Sequence, residues 1–273
     1  MKKNVDLYAN QMVNEENVFQ PAVLNNRGIF KEFLDFLIRP QSSIVGLEHL
    51  EEFYHNFKNG ASSLILSEHK SNFDVPVFFA MANRQPHSFL KEMFEKIVFV
   101  AGRKLNEEEI FVKLMAEQFN RVIVVPKTET IHLSEEEQNL ALRINMSTQK
   151  FIKEKKQEYI FLVYPTGTRS KPWDKTSYQG IREAFNYLKN FDQIIFMSKN
   201  GNCMLPRQAA MSNEPPRKDI ITLTFSKPLN SKEFLKSLRE DFKGNNENFK
   251  QYGINKVMEC IYNQKGIMPW DEK

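Results

Sequence analysis

The chain has few of the residues from which disulfide-stapled, zinc-binding or glycine-rich proteins are built. Its 273 residues include only two cysteines and ten glycines. Cys203 and Cys260 lie far apart in the sequence, which excludes a disulfide framework and a Cys-x-x-Cys zinc pair. The longest apolar run, residues 75–82, is well short of the ~20 residues that a membrane-spanning helix needs. These absences predict a soluble protein of a reducing compartment.

Charge of one sign is also not in large excess. Lysine and arginine number 38, and aspartate and glutamate number 34, which gives a net charge of +4. This balance is far from that of an obligate nucleic-acid-binding protein, so no nucleic-acid partner is expected. The first residues, Met1–Asp6, lack the apolar stretch of a signal peptide, and we therefore expect a cytoplasmic location.

From about residue 44 onward, the pattern alternates between strands and helices. Short apolar runs predict six strands, at 63–66, 97–100, 121–125, 159–163, 193–197 and 220–225. Capping residues and apolar spacing predict helices at 47–57, 75–82, 107–118, 134–156 and 181–188, and two more close the chain. The alternation predicts an α/β fold with a mostly parallel central sheet flanked by helices. Residues 1–40 are predicted to form a short N-terminal helical segment, and residues 41–273 the α/β domain.

A histidine and an aspartate follow the first of these strands. His69 stands just after the strand at 63–66, and Asp74 comes five residues later, beside the predicted helix start. Ligands of parallel sheets bind outside the carboxyl ends of the strands. A carboxylate that folds back onto an imidazole there fixes its tautomer and raises the basicity of the far ring nitrogen. No protein nucleophile accompanies the pair, so a substrate hydroxyl would take that role.

Basic side chains follow the second, third and fourth strands. They are Arg103, Lys104, Lys127, Arg169 and Lys171. In the last of these loops, Gly167 permits a tight turn with exposed backbone N–H groups. Arg169 and Lys171 then offer a planar fork and a point charge to a phosphate. Together with the His–Asp pair, the loops predict a base beside an anion pocket, which suits attack by the hydroxyl of a small phosphorylated alcohol.

Each motif by itself also fits a structural role. Asp74 alone would suit a helix cap, with His69 an ordinary surface histidine. A single charged loop is usually only solvated. The presence of the His–Asp pair and of three basic loops at the carboxyl ends of neighbouring strands favours a functional site over chance.

Two of these segments resemble motifs of the glycerolipid acyltransferases. His69–Asp74 resembles the His-x-x-x-x-Asp motif of that superfamily. Tyr164–Ser170 is similar to its Phe-Pro-Glu-Gly-Thr-Arg-Ser block, with Thr166 in place of the Glu of the membrane-bound members. The soluble, plastid-type glycerol-3-phosphate 1-acyltransferases carry a small residue there, in a Pro-Ser-Gly-Gly-Arg-Asp-Arg block.

Further segments resemble the plastid-type group in particular. Arg169 and Lys171 correspond to the two Arg of its block, the second conservatively. Ile97–Gly102 is similar to its Ile-Phe-Val-Ala-Gly segment, and Pro269–Trp270 matches its Pro-Trp terminus. Lys127 falls near a substrate-binding Lys-His pair of that group, although the His is missing here. The resemblance covers roughly residues 44–270.

The resemblance implies transfer of a fatty acyl group from a thioester to the sn-1 hydroxyl of glycerol 3-phosphate, which gives 1-acylglycerol 3-phosphate for phospholipid synthesis. His69 would take the hydroxyl proton, and Asp74 would orient its ring. The loop backbone at Thr166 and Gly167 would line the site. The phosphate would be held by Arg169 and Lys171, with Lys127, Arg103 and Lys104 as further candidates.

The same resemblance sets the expected cofactors, partners and location. No metal or other cofactor is expected, because a thioester is already activated; acyl carrier protein or coenzyme A would carry the acyl group. The basic cluster of Lys150, Lys153, Lys155 and Lys156 is predicted to be a solvated helix face, with docking of acidic carrier protein or of an anionic membrane surface as its alternative. The location would be the cytoplasm, or the plastid stroma in a plastid-bearing organism.

Two other functions are open. One is acylation of 1-acylglycerol 3-phosphate. Two features of the sequence argue against it: no membrane anchor is predicted, and Thr166 stands in place of Glu. The other is non-catalytic binding of a phospholipid, which would need the cations but neither His69 nor Asp74.

Overall fold

The computed structural model describes residues 12–106, 110–131, 133–208 and 214–266. The strands are β1 (Phe19–Gln20), β2 (Ser43–Val45), β3 (Ser63–Ser67), β4 (Ile97–Gly102), β5 (Arg121–Val124), β6 (Ile160–Val163), β7 (Gln193–Asn200), β8 (Thr222–Phe225) and β9 (Leu229–Asn230). The α-helices are α1 (Arg27–Leu37), α2 (Leu47–Lys58), α3 (Asp74–Arg84), α4 (Ser88–Lys96), α5 (Ile110–Ala116), α6 (Lys127–Thr130), α7 (Glu135–Lys155), α8 (Phe185–Leu188), α9 (Ser231–Asp241) and α10 (Phe249–Asn263). Pro269–Trp270 and the predicted helix start at 107–109 lie outside the described residues.

The strands form one mixed sheet in the order β1-β5-β4-β6-β3-β7-β8-β2, with β9 paired to β7. The five central strands, β5, β4, β6, β3 and β7, run parallel to one another. Strand β8 runs antiparallel to β7, and β1 antiparallel to β5. The α/β class with a mostly parallel sheet is therefore confirmed. The carboxyl ends of the central strands meet at one edge, here called the carboxyl edge.

The centre of the sheet is the apolar core of the molecule. All five residues of β3 and all four of β6 are buried, as expected for strands covered on both faces. Helix α3 contributes Phe78 and Phe79, which pack against Phe94 of α4. Burial of such aromatic side chains is a large share of the stabilising free energy of a domain this size.

The described part of the N-terminal segment packs on the same core. Strand β1 pairs with β5, and the Arg27 guanidinium donates to the carbonyl oxygen of Gln118. Helix α1 buries Phe30, Leu34 and Leu37. The segment thus extends one edge of the sheet and covers part of one face.

Some elements differ from the sequence prediction. The helix predicted at 181–188 is broken into a 3₁₀ turn, Arg182–Ala184, and the four-residue α8. Ile181 stays extended and donates its N–H to the Pro165 carbonyl oxygen at 2.8 Å, so the helical segment begins one residue later, at Arg182. Helix α4 is absent from the prediction. The short strands β1, β2 and β9 are absent as well, because two or three residues show no periodicity. In the ranges given above, no helix has the length and apolar character needed to cross a membrane.

Candidate active site

The two motif loops lie side by side at the carboxyl edge. His69 follows β3 and Tyr164 follows β6, and these strands are paired in parallel with Leu66 opposite Val163. Beyond the strands, the loops are tied together by a hydrogen bond from the Ser170 N–H to the His69 carbonyl oxygen, at 2.7 Å. The sheet topology therefore brings the His–Asp segment and the Gly-Thr-Arg segment, far apart in sequence, into direct contact.

Asp74 folds back onto His69. It is the first residue of α3, and its Oδ2 accepts from the His69 ring at Nδ1, 2.8 Å away. The same oxygen accepts backbone N–H groups of Lys70 at 2.7 Å and of Ser71 at 3.1 Å. Asp74 thus binds two amides of the loop that precedes α3 and also orients the imidazole. These amides lie outside the helix, so the carboxylate does not act as the helix cap considered from the sequence.

A buried lysine that the sequence analysis did not select completes the pair. Lys199, near the end of β7, contacts Asp74 through its ammonium group at Oδ1. Burial of Asp74 favours its neutral form, but the positive charge of Lys199 and the hydrogen bond from His69 outweigh burial. They hold the pKa of Asp74 well below its usual range, so the carboxylate is ionised at neutral pH.

The His69 ring is held from one face by Tyr164. The two rings are stacked, with centroids 4.1 Å apart and planes 13° apart. Burial and the nearby Asp74 charge raise the pKa of the Tyr164 phenol well above its usual value, so this group stays neutral. With Nδ1 engaged by Asp74 and 19% of the side chain exposed, the ring offers its other nitrogen, Nε2, as a base.

The loop after β6 is built as a tight turn. The Gly167 N–H donates to the Tyr164 carbonyl oxygen at 3.0 Å, and Gly167 has a φ of +65°, which favours glycine. Thr166 is buried, and its hydroxyl donates to the Thr168 carbonyl oxygen at 2.6 Å. The turn directs the following basic residues along the carboxyl edge.

The basic side chains expected to bind the phosphate differ in exposure and in the ion pairs that they make. Arg169 donates from Nη1 to the buried carboxylate of Glu214 at 2.6 Å, and Lys127, 79% exposed, pairs with Glu183 at 2.7 Å. Lys171 and Lys104 are exposed. Hydrogen bonds from Ser134 lower the pKa of the Glu137 carboxyl, and the positive charge of Arg103 lowers it further.

Strand order determines which loops emerge next to the loop that carries His69. Neighbouring strands lie ~4.8 Å apart, so β6 is adjacent to β3, while β4 is about 10 Å and β5 about 14 Å away. Arg169 and Lys171 lie in the loop after β6, the strand directly beside β3. Arg103 and Lys104 follow β4, two strands from β3. Lys127 follows β5, three strands away, although its side chain reaches Glu183 in the segment after β6.

Four charged residues of the site region were not selected from the sequence: Glu68, Lys199, Glu214 and Lys265. The sequence could have indicated Lys199, because it follows the apolar run of β7. A lysine at the end of such a strand is buried with the strand and needs a charged partner. Glu68 stands directly before His69 and pairs with Lys265 at 2.6 Å. The partners of all four are distant in sequence, which hides the pairing.

Within the described ranges, no group of three or more His, Cys, Asp or Glu side chains is placed to hold a metal ion. Comparison with protein-family models gives no match to the chain. A search of curated proteins likewise finds no significant match.

Proposed function

We propose that the chain is an acyltransferase that moves a fatty acyl group from an acyl thioester to the sn-1 hydroxyl of glycerol 3-phosphate. The observation that carries the proposal is the His69–Asp74 hydrogen bond at the carboxyl edge, with the Gly-Thr-Arg loop tied to His69 through Ser170. A base whose ring is oriented by an ionised carboxylate stands beside a basic loop. This is the arrangement needed to activate the hydroxyl of a phosphorylated alcohol.

The reaction follows from the orientation of the ring. Nδ1 donates to Asp74, so Nε2 has a lone pair with which to take the proton of the substrate hydroxyl. As that proton leaves, the oxygen attacks the thioester carbonyl carbon and forms the ester bond. The carbon–sulfur bond breaks, and the thiolate takes up the proton from the imidazolium. His69 ends in its starting state, and Asp74 stabilises the transient positive charge on the ring.

The β6 loop is the proposed phosphate site. One terminal nitrogen of Arg169, Nη1, donates to the Glu214 carboxylate, and the remaining N–H groups of the guanidinium can donate to phosphate oxygens. Lys171 is exposed two residues later and adds a second positive charge. Glu214 sets the position of the guanidinium in this arrangement. Its negative charge offsets part of the attraction that Arg169 exerts on a dianionic phosphate.

Arg169→Ala should raise the KM for glycerol 3-phosphate about 10- to 150-fold and change the KM for the acyl donor little. A charge-assisted contact contributes roughly 1.5–3 kcal/mol, and ~1.4 kcal/mol is a factor of ten in affinity. Glu214→Gln is the matched variant, because it weakens the ion pair but keeps the guanidinium. Steady-state kinetics with both substrates varied should show an unchanged or lower KM for glycerol 3-phosphate in that variant. Equal KM increases for both substrates in Arg169→Ala would make Arg169 a structural residue.

The proposal is tested with purified protein, radiolabelled glycerol 3-phosphate and one acyl chain carried on acyl carrier protein or on coenzyme A. Formation of 1-acylglycerol 3-phosphate is the expected result. Acylation of 1-acylglycerol 3-phosphate but not of glycerol 3-phosphate would show that the proposed acceptor is wrong, while the proposed acyl transfer would stand. Binding of phospholipid vesicles without product from either acceptor would reject the enzyme proposal in favour of a lipid-binding protein.

We propose that the acyl donor is acyl carrier protein. Its docking surface is not the lysine cluster at the end of α7, which consists of Lys150, Lys153, Lys155 and Lys156. Helix α7 connects parallel strands β5 and β6, so it begins at the carboxyl edge and ends at the opposite edge. At 1.5 Å per residue, Lys153 lies about 28 Å along the helix from Ser134. Lys156 donates to the Asn190 carbonyl oxygen, and Lys155 pairs with Glu158. The placement favours a solvated face for the cluster.

A Lys150→Glu/Lys153→Glu variant should therefore keep kcat/KM for both donors within about twofold of wild type, because exposed charges this far from the dyad are screened. The wild-type protein should prefer acyl carrier protein over coenzyme A carrying the same acyl chain. The comparison is made at low and at moderate salt. Selective loss of activity with acyl carrier protein in the double variant would place its docking surface on α7 after all.

A further inference from the structure

The ammonium group of Lys199 lies in the interior of the protein beside the His–Asp dyad. Only 3% of its side chain is exposed. Strand β7 pairs with β3 in parallel, with Met197 opposite Ser67, so Lys199 stands two residues further along at the level of the loop that carries His69. Burial of a lysine is costly unless its charge is paired, and the partner here is Asp74.

The two oxygens of Asp74 are divided between the ring and the lysine. Oδ2 accepts from His69 Nδ1 and from the backbone N–H groups of Lys70 and Ser71. Oδ1 receives the Lys199 ammonium group, with the Ser71 hydroxyl further away at 3.4 Å. The carboxylate is therefore positioned between a titratable ring on one side and a fixed positive charge on the other.

This arrangement changes the electrostatics of a simple His–Asp pair. A lone buried carboxylate would strongly favour a proton on the ring beside it. With Lys199 in place, the carboxylate and the ammonium group together carry no net charge, and the positive lysine opposes a second positive charge on His69. Asp74 and Lys199 are buried and 19% of the His69 side chain is exposed, so water screens these interactions weakly. A ring that must accept a proton from substrate needs to be neutral beforehand.

We propose that Lys199 is a positioning residue that keeps the Asp74 carboxylate charged and in place while holding the His69 ring in its neutral, proton-accepting form. The proposal rests on the acyltransferase function proposed above, because it concerns the base of that reaction. It assigns to Lys199 no contact with substrate. Its action is transmitted through Asp74.

The buried charged groups near His69 are paired, while Lys171 of the loop after β6 is exposed to water. Glu68, on the same strand end, pairs with Lys265, which follows α10. Arg169, in the β6 loop, pairs with Glu214. The Tyr164 phenol that stacks on the ring is neutral. Loss of Lys199 would therefore leave Asp74 as the uncompensated charge next to the ring, and the other pairs would stay matched.

The test is a titration of the His69 ring by nuclear magnetic resonance in the full chain. The His69 signal is assigned by its absence in His69→Gln. In Lys199→Met, the midpoint of the ring titration should move up by about one pH unit or more, because the removed positive charge opposed protonation. In Lys199→Arg, which keeps the charge, it should stay within about 0.3 units of wild type. A folded Lys199→Met protein with an unchanged or lower midpoint would overturn the proposal.

A second variant covers the case in which Lys199→Met does not fold. Asp74→Asn leaves Lys199 as an unbalanced positive charge, and the His69 midpoint should then fall; a midpoint that stays or rises contradicts the proposal. The titration needs no turnover, so it separates this inference from the proposed function. A wild-type protein without acyltransferase activity would reject that function, and the His69 midpoint in Lys199→Met would still support or overturn this inference. If the enzyme is active, the acid limb of kcat/KM should move with the midpoint.

Discussion

His69→Ala should reduce turnover of glycerol 3-phosphate by roughly 10²–10⁴-fold, which is the usual contribution of a general base. The chain should stay folded. The ring lies in a loop at the carboxyl edge, and the bonds from the Lys70 and Ser71 amides to Asp74 do not depend on it. The loss should appear in kcat, because the ring acts on the proton that moves in the transition state. Steady-state kinetics measure it, and circular dichroism verifies the fold.

Two further variants make this result specific. His87→Ala removes an exposed histidine that lies just before α4, away from the carboxyl edge, and should leave kcat unchanged. Asp74→Asn should lower kcat less completely than His69→Ala, because the amide can still orient the ring but favours the wrong tautomer. A His69→Ala protein that turns over near the wild-type rate would reject the mechanism.

The central sheet and the dyad could be predicted because both are encoded locally. Strands such as β3 and β6 are covered on both faces and are visible as short apolar runs. Asp74 reaches His69 within a single turn, between residues five apart. The strand-end rule then places both at the edge where the Gly-Thr-Arg loop emerges.

The charge balance of the site could not be predicted, because it depends on pairs that only the fold creates. Lys199 lies 125 residues after Asp74, and Lys265 lies 197 residues after Glu68. No local spacing relates such residues. The sequence also predicts unpaired basic side chains in the loop after β6. The fold pairs one of them, because the buried Glu214, 45 residues after Arg169, accepts a hydrogen bond from its guanidinium. Sequence patterns thus identify the candidate site residues, and tertiary pairing determines which of their charges are compensated.

Lys265→Met should lower the free energy of unfolding by roughly 3–5 kcal/mol. The Lys265 ammonium group and the Glu68 carboxylate are each 1% exposed and lie 2.6 Å apart. Removal of one partner of a buried ion pair leaves the other charge in the interior without compensation, and this is the range such losses take. Glu68 also accepts the Lys199 backbone N–H, so it is held in place and cannot turn to water. Chemical denaturation of the full chain measures the change.

The last helix supplies a matched control for this prediction. Lys256 of α10 pairs with Glu259 at the surface, and Lys256→Met should leave stability nearly unchanged, because water solvates the remaining carboxylate. In Glu68→Gln/Lys265→Met both charges are gone and the glutamine oxygen can still accept from Lys199. This double variant should recover part of the stability lost in the single one. Equal decreases in the free energy of unfolding in Lys265→Met and Lys256→Met would show that burial of the Glu68–Lys265 pair does not determine its contribution to stability.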